Sequence, residues 1–140
     1  MPNWNEATFE VVGDKSIIDE LEKTQFDFEK IRPMPDEIWE KPNVPIEDIP
    51  QLKGATSPAW YDWRLKNWGT KWNPNDDHRS VERISDIKLK VSLTTAWCLP
   101  IEILKFITQK YGVSIIGTTI EETEEQETRF VCERGVIVGR

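Results

Sequence analysis

The stretch from Ile87 to Trp97 does most to limit what this chain can become, because its residues alternate by character. Ile87, Leu89, Val91, Leu93, Thr95 and Trp97 fall on one side, while Lys88, Lys90, Ser92 and Thr94 fall on the other. A two-residue period fits the pleat of a half-buried strand, not the turn of a helix. The chain therefore needs a sheet with one covered and one wet face, and this segment is predicted to lie in its middle.

Shorter patterns supply the rest of the layout. Residues 6–12 alternate through Ala7, Phe9 and Val11 up to Gly13, which predicts a strand. Asp14 is a fair N-cap for a helix to Lys23 with Ile17, Ile18 and Leu21 as its apolar stripe. Residues 26–31 alternate again and predict a second strand. From Arg32 to Gln51 the prolines 33, 35, 42, 45 and 50 remove backbone donors and argue against regular structure. Ser57 as cap, Pro58 in the first turn and Gly69 at the exit predict a helix rich in tryptophan. Pro100 opens a further helix, with Ile101, Leu104, Ile107 and Tyr111 on one face and Gly112 at its end. Residues 113–120 and 128–138 then predict two antiparallel strands joined by an acidic turn.

This order is two split βαβ halves with an insert. The predicted fold is α+β: a ferredoxin-like antiparallel sheet with two helices on one face and a Trp-rich insertion. At 140 residues the chain suits a single domain, 1–140, with the insertion at about 32–82.

A net charge of -7 and a pI near 4.8 repel phosphate backbones, so direct nucleic-acid binding is not expected and basic protein partners are favoured. Recognition of RNA on the sheet would need exposed aromatic platforms, whereas the wet side of the 87–97 strand carries lysine, serine and threonine. Cys98 and Cys132 have no CxxC spacing and read as small buried hydrophobes. With no signal-like start and no apolar run of spanning length, a cytoplasmic location is expected.

Chemistry-bearing patterns are few. On a helix from Ala59 onward, Trp60, Trp63, Arg64, Asn67, Trp68 and Lys71 share or flank one face, with Trp72 following. That face could hold a partner or a ligand, or it could pin the insert to the core with Arg64 stacked on the indoles. The string Asn73 to His78 has oxygen donors and one imidazole, but it lacks the glycine and distal glutamate of a calcium loop and any second histidine for zinc. It reads first as turn chemistry, and no metal or cofactor is expected. No nucleophile motif, phosphate loop or paired-carboxylate signature is present, so the chain is not expected to be an enzyme. Five glutamates between Glu121 and Glu127 solvate a hairpin or imitate phosphate spacing.

Four strings carry a resemblance to a known family: Pro2-Asn3-Trp4; residues 28–35; Trp63 to Asn73 with its three tryptophans; and Thr94-Thr95-Ala96-Trp97-Cys98-Leu99-Pro100. Together they resemble the YubB-type ferredoxin-like proteins of phages and conjugative plasmids, whose members are mostly uncharacterised. The sequence departs from that family at Asn5, where a cysteine is common, and at Leu99-Pro100, where two prolines are common. The resemblance implies the ferredoxin-like architecture and a mobile-element origin, and it carries over no catalytic residue. The expected function is a non-catalytic phage or mobile-element protein that binds a host or viral protein and modulates a bacterial defence system such as CRISPR. The alternative is a small-molecule or nucleotide-sequestering protein that uses Trp60, Trp63, Arg64, Asn67, Trp68, Lys71 and Trp72.

Overall fold

The computed structural model describes residues 3–40 and 58–139. The expectations for Pro42, Pro45, Pro50 and Ser57 lie outside the described residues. A six-stranded sheet forms the frame: β1 (Trp4–Val12), β2 (Arg79–Ser85), β3 (Lys88–Ala96), β4 (Ser114–Glu121), β5 (Thr128–Glu133) and β6 (Val136–Gly139). Its order is β2-β3-β1-β4-β5-β6, with every described neighbour pair antiparallel. The helices are α1 (Lys15–Thr24), α2 (Phe28–Ile31), α3 (Asp36–Glu40), α4 (Ala59–Asn67) and α5 (Ile101–Tyr111). The succession β1-α1-β2-β3-α5-β4, with β1 beside both β3 and β4, is the ferredoxin-like topology; the β5–β6 hairpin extends it past β4.

Burial follows the period-two rule. Asn5, Ala7, Phe9 and Val11 of β1 are buried with Leu89, Val91 and Leu93 of β3, while Glu6, Thr8, Glu10 and Lys90 are exposed. Ile18 and Leu21 of α1 and Ile103, Leu104 and Ile107 of α5 close over the apolar side. Phe9 meets Phe26 and Phe130 edge-on at 5.7 and 6.1 Å. Each such fully buried large side chain contributes on the order of 1.5–3 kcal/mol. Gly117 of β4 lies in register between Phe9 and Phe130. A Cβ there would sit 2.5 Å from Phe9 Cα and closer still to the Thr8 carbonyl oxygen.

Several expectations are corrected. Residues 26–31 are not a strand: Gln25 and Phe26 take φ of 51 and 55°, and the Asp27 carboxylate then accepts from the Glu29 and Lys30 amides to start α2. The second strand of the fold is β2, which begins at Arg79, inside the span first assigned to the insertion. The 128–138 segment is two strands, because Arg134 and Gly135 both take positive φ, as a two-residue type I′ turn requires. Within the proline-rich stretch, α3 does form, with the Pro35 carbonyl accepting from Ile38 and Trp39. Pro58 precedes α4 as its extended cap residue rather than entering it, and Asp14 caps α1 through its carbonyl, not its side chain. Ile87 and Trp97 are not inward: Ile87 occupies the β2–β3 turn, and Trp97 follows β3 with φ 72°. Cys132 is buried as expected, but Cys98 is exposed.

Candidate functional site

Much of the tryptophan-rich helix serves the core. Trp63 and Trp68 are buried; the Trp68 ring meets Trp63 at 5.6 Å and Phe28 at 5.8 Å, and its Nε1 donates to the Arg32 carbonyl at 3.0 Å. Just beyond, Gly69 has φ 85°, and a Cβ there would lie 2.9 Å from the backbone nitrogens of Ile101 and Glu102. This close approach lets the Trp68 carbonyl accept from the Ile103 amide at 3.2 Å, one of the first-turn donors of α5 that no side chain of Pro100 can satisfy. Thr70 Oγ1 donates to the Ala96 carbonyl at 2.9 Å and the Cys98 thiol to the Gly69 carbonyl at 3.2 Å. Residues 63–70 thereby bolt the long α1–β2 connection to the β3–α5 junction.

The polar residues predicted to face a ligand are largely committed inward. The Arg64 guanidinium lies 5.0 Å from the Trp68 ring, 5.3 Å from Trp60 and 5.9 Å from Trp39, and its Nη1 donates to the Lys71 carbonyl at 3.2 Å. Its Nε is buried without a hydrogen bond. Burial lowers the Arg64 pKa, with Glu29 opposing, though arginine stays charged. Asn67 Nδ2 donates to the Trp63 carbonyl at 2.8 Å. Trp60 and Lys71 are half-buried, and Trp72 is exposed.

The outer remainder forms a continuous aromatic belt along the edge of the sheet where β1 begins and β3 and β4 end. Trp60 contacts Tyr61 at 5.7 Å and Tyr61 contacts Trp97 at 6.3 Å. Lys71 Nζ lies 4.2 Å from the ring centres of both Trp97 and Trp72, an ammonium held between two indoles. Trp72 reaches Trp4 at 6.1 Å, and Trp4 reaches His78 at 5.1 Å. Trp72 and Trp97 remain 39% and 37% exposed. The belt holds together because β-pairing sets Trp4 opposite Ala96, and the Trp97 amide donates to the Asn3 carbonyl at 2.7 Å. Trp4, Tyr61, His78 and Trp97 are the members that helical spacing alone missed. Alternation does not reach Trp97, because β3 ends at Ala96 and the positive φ of Trp97, costly for a bulky side chain, turns the ring outward.

At the His78 end the belt borders a groove of about 300 Å³ on the open face of the sheet. Trp4, His78 and Ile120 line its apolar part, and Glu6, Glu121, Glu122 and Glu124 surround them. Glu121 accepts a hydrogen bond from Asn3 at 3.2 Å, and Glu124 accepts from the Glu121 amide at 2.8 Å, which ties the β4–β5 turn down. Among the described residues, none of these four carboxylates takes part in an ion pair. The Asn73–His78 string is turn structure: Asn75 Oδ1 accepts from the Asp77 amide, and Asp76 pairs with Arg79 at 2.7 Å. Asn73 ties back to α2 through Asp27 Oδ1 at 2.8 Å and the Phe28 amide at 2.9 Å. Among the described residues no group of three His, Cys, Asp or Glu is placed to hold a metal ion, and no helix is long and apolar enough to cross a membrane. Although Cys98 is exposed as a residue, its Sγ turns toward the Gly69 carbonyl, and partial desolvation there raises the thiol pKa, with Glu121 adding to the shift.

Residues 67–129, from the end of α4 into β5, match the family model described as the ferredoxin-like domain in Api92-like protein. The chain is also similar in fold to the crystal structure of a protein api92 from Yersinia pseudotuberculosis, with a TM-score of 0.61 at 9% sequence identity, covering 96% of this chain and 95% of that one. No curated protein is detectably similar in sequence.

Proposed function

We infer that this chain is a non-catalytic binding protein of a phage or plasmid, acting in the host cytoplasm, and that it engages a host or viral protein through the belt from Trp60 to His78. One observation carries the reading: Trp72 and Trp97 stay more than a third exposed although the fold buries Trp63 and Trp68. Exposed indoles that flank one another offer the large, rigid contact area that dominates protein interfaces, and charged rims around them add selectivity. The mobile-element origin rests on the family resemblance, as does the reading that the partner belongs to a defence system such as CRISPR.

The nucleotide-binding alternative fares worse on the same geometry. Of its expected polar contacts, Arg64 and Asn67 point into the insert's own packing, Lys71 is held between the Trp72 and Trp97 rings, and the free end of the belt carries carboxylates that repel phosphate. The test is affinity capture from the native host with the wild type and with Trp72→Ala/Trp97→Ala, both checked for unchanged melting. A defined protein retained by the wild type and lost from the double variant supports the reading. Identical retention by both overturns it.

A further inference from the structure

The groove at the end of the belt combines aromatic faces with unneutralised carboxylates, and both attract cations. Trp4 and His78 meet at 5.1 Å with their planes tilted by 41°, and Glu6 on β1, Glu121 at the end of β4, and Glu122 and Glu124 of the β4–β5 turn line the groove with them. None of the four acids has a basic partner among the described residues, although the half-buried acids Asp19 and Glu22 on α1 are both paired with Arg83. The same belt already demonstrates its taste for ammonium, since Lys71 Nζ sits 4.2 Å from two indoles, one of which touches Trp4. An alkylammonium or guanidinium entering the groove would meet the Trp4 face and the carboxylates together, and a concave acidic site focuses the field of a chain whose net charge is -7.

We propose that this groove receives a lysine or arginine side chain from a basic segment of the partner protein. The proposal rests on the protein-binding reading above and names the partner's chemistry. Charge complementarity chooses the occupant: an acidic or phosphorylated segment would face four carboxylates, while an apolar one would leave them desolvated.

The probe is an octa-arginine peptide, titrated against the wild type at low and physiological salt with tryptophan fluorescence and calorimetry as readouts. Glu121→Gln/Glu122→Gln/Glu124→Gln removes three charges from the groove. Glu20→Gln/Glu37→Gln/Glu133→Gln removes three exposed charges elsewhere, so the two variants have the same net charge. At about threefold per charge, the groove variant binds about thirtyfold more weakly, and the remote variant stays within about twofold of the wild type. Glu6→Gln, which leaves the β4–β5 turn untouched, lowers affinity by about threefold if the groove is the site. Equal weakening in both triple variants, or no measurable binding, overturns the proposal, as does spermine binding as tightly as the peptide. A partner captured by the groove variant but lost from Trp72→Ala/Trp97→Ala overturns this proposal alone. Capture by both overturns the binding surface as well.

Discussion

Replacing Gly117 with alanine isolates how tightly β1 and β4 are pressed together. The added Cβ meets the Thr8 carbonyl oxygen and comes within 2.5 Å of both Phe9 Cα and Phe9 Cβ, and two of these three obstacles are backbone that cannot rotate aside. Overpacking of this kind costs ~3 kcal/mol or more at the upper end of its range. Alanine in place of glycine also restrains the unfolded chain, which stabilises by roughly 0.4–1 kcal/mol where the native backbone tolerates it. The net expectation is a loss of about 2 kcal/mol. Gly139 on β6 provides the matched control, since its nearest atoms lie 3.9 Å away and φ is not positive. Gly139→Ala therefore keeps the unfolded-state gain without the clash, and the two substitutions are expected to differ in sign. At roughly 3 °C per kcal/mol for a chain of this size, Gly117→Ala melts about 6 °C below the wild type while Gly139→Ala melts at or slightly above it. Thermal melts followed by far-UV circular dichroism measure both. Equal effects of the two substitutions, or a stabilised Gly117→Ala, would refute the close approach of the strands.

Asp27→Ala removes the acceptor shared by the Glu29 and Lys30 amides and Asn73 Nδ2, and is expected to destabilise by ~2 kcal/mol; a urea midpoint unchanged from the wild type would show that α2 needs no cap. The Asp19 carboxyl is held below its ordinary value by its hydrogen bonds to Lys15 and then Arg83. Because the folded state binds that proton more weakly than the unfolded one, the stabilisation is complete above the ordinary pKa of 3.8 and fades as pH falls through the lowered value. Urea unfolding of the wild type and Asp19→Asn between about pH 6 and about pH 2 should show their stability gap closing toward acid, and a pH-independent gap would refute it.

The elements readable from sequence are those whose pattern comes from burial on one face over several residues. β1, β3, α1 and α5 each bury at least two aliphatic side chains at their own period, so the apolar spacing declares them. β2 escapes that logic. As an edge strand it directs Arg79, Val81 and Arg83 inward in alternation, and arginine stems cover the sheet while their charged heads reach Asp76, Asp19 and Glu22, so the strand reads as polar loop. Residues 26–31 failed for the opposite reason. Phe26, Phe28 and Ile31 are all buried, but a turn with two positive φ values followed by one helical turn can imitate alternation. The Arg134-Gly135 turn was missed because it lacks the Asn-Gly or Asp-Gly pair that normally announces a hairpin. At the site, helical spacing located Trp60, Lys71 and Trp72, yet it could not tell which indoles tertiary packing would consume. Tyr61, Trp97, Trp4 and His78 come from four separate stretches of chain that only tertiary structure brings together, Trp4 and Trp97 through the β1–β3 pairing.

The fastening of the long connection to the start of α5 has an evolutionary corollary. A module whose backbone completes the first turn of a scaffold helix, as the Trp68 carbonyl does for Ile103, cannot be exchanged like a cassette without reopening that helix. Drift in this lineage should therefore leave Trp68, Gly69 and Thr70 in place and fall on the outward rings, so that new specificities arise by repainting one rim of an otherwise frozen clamp.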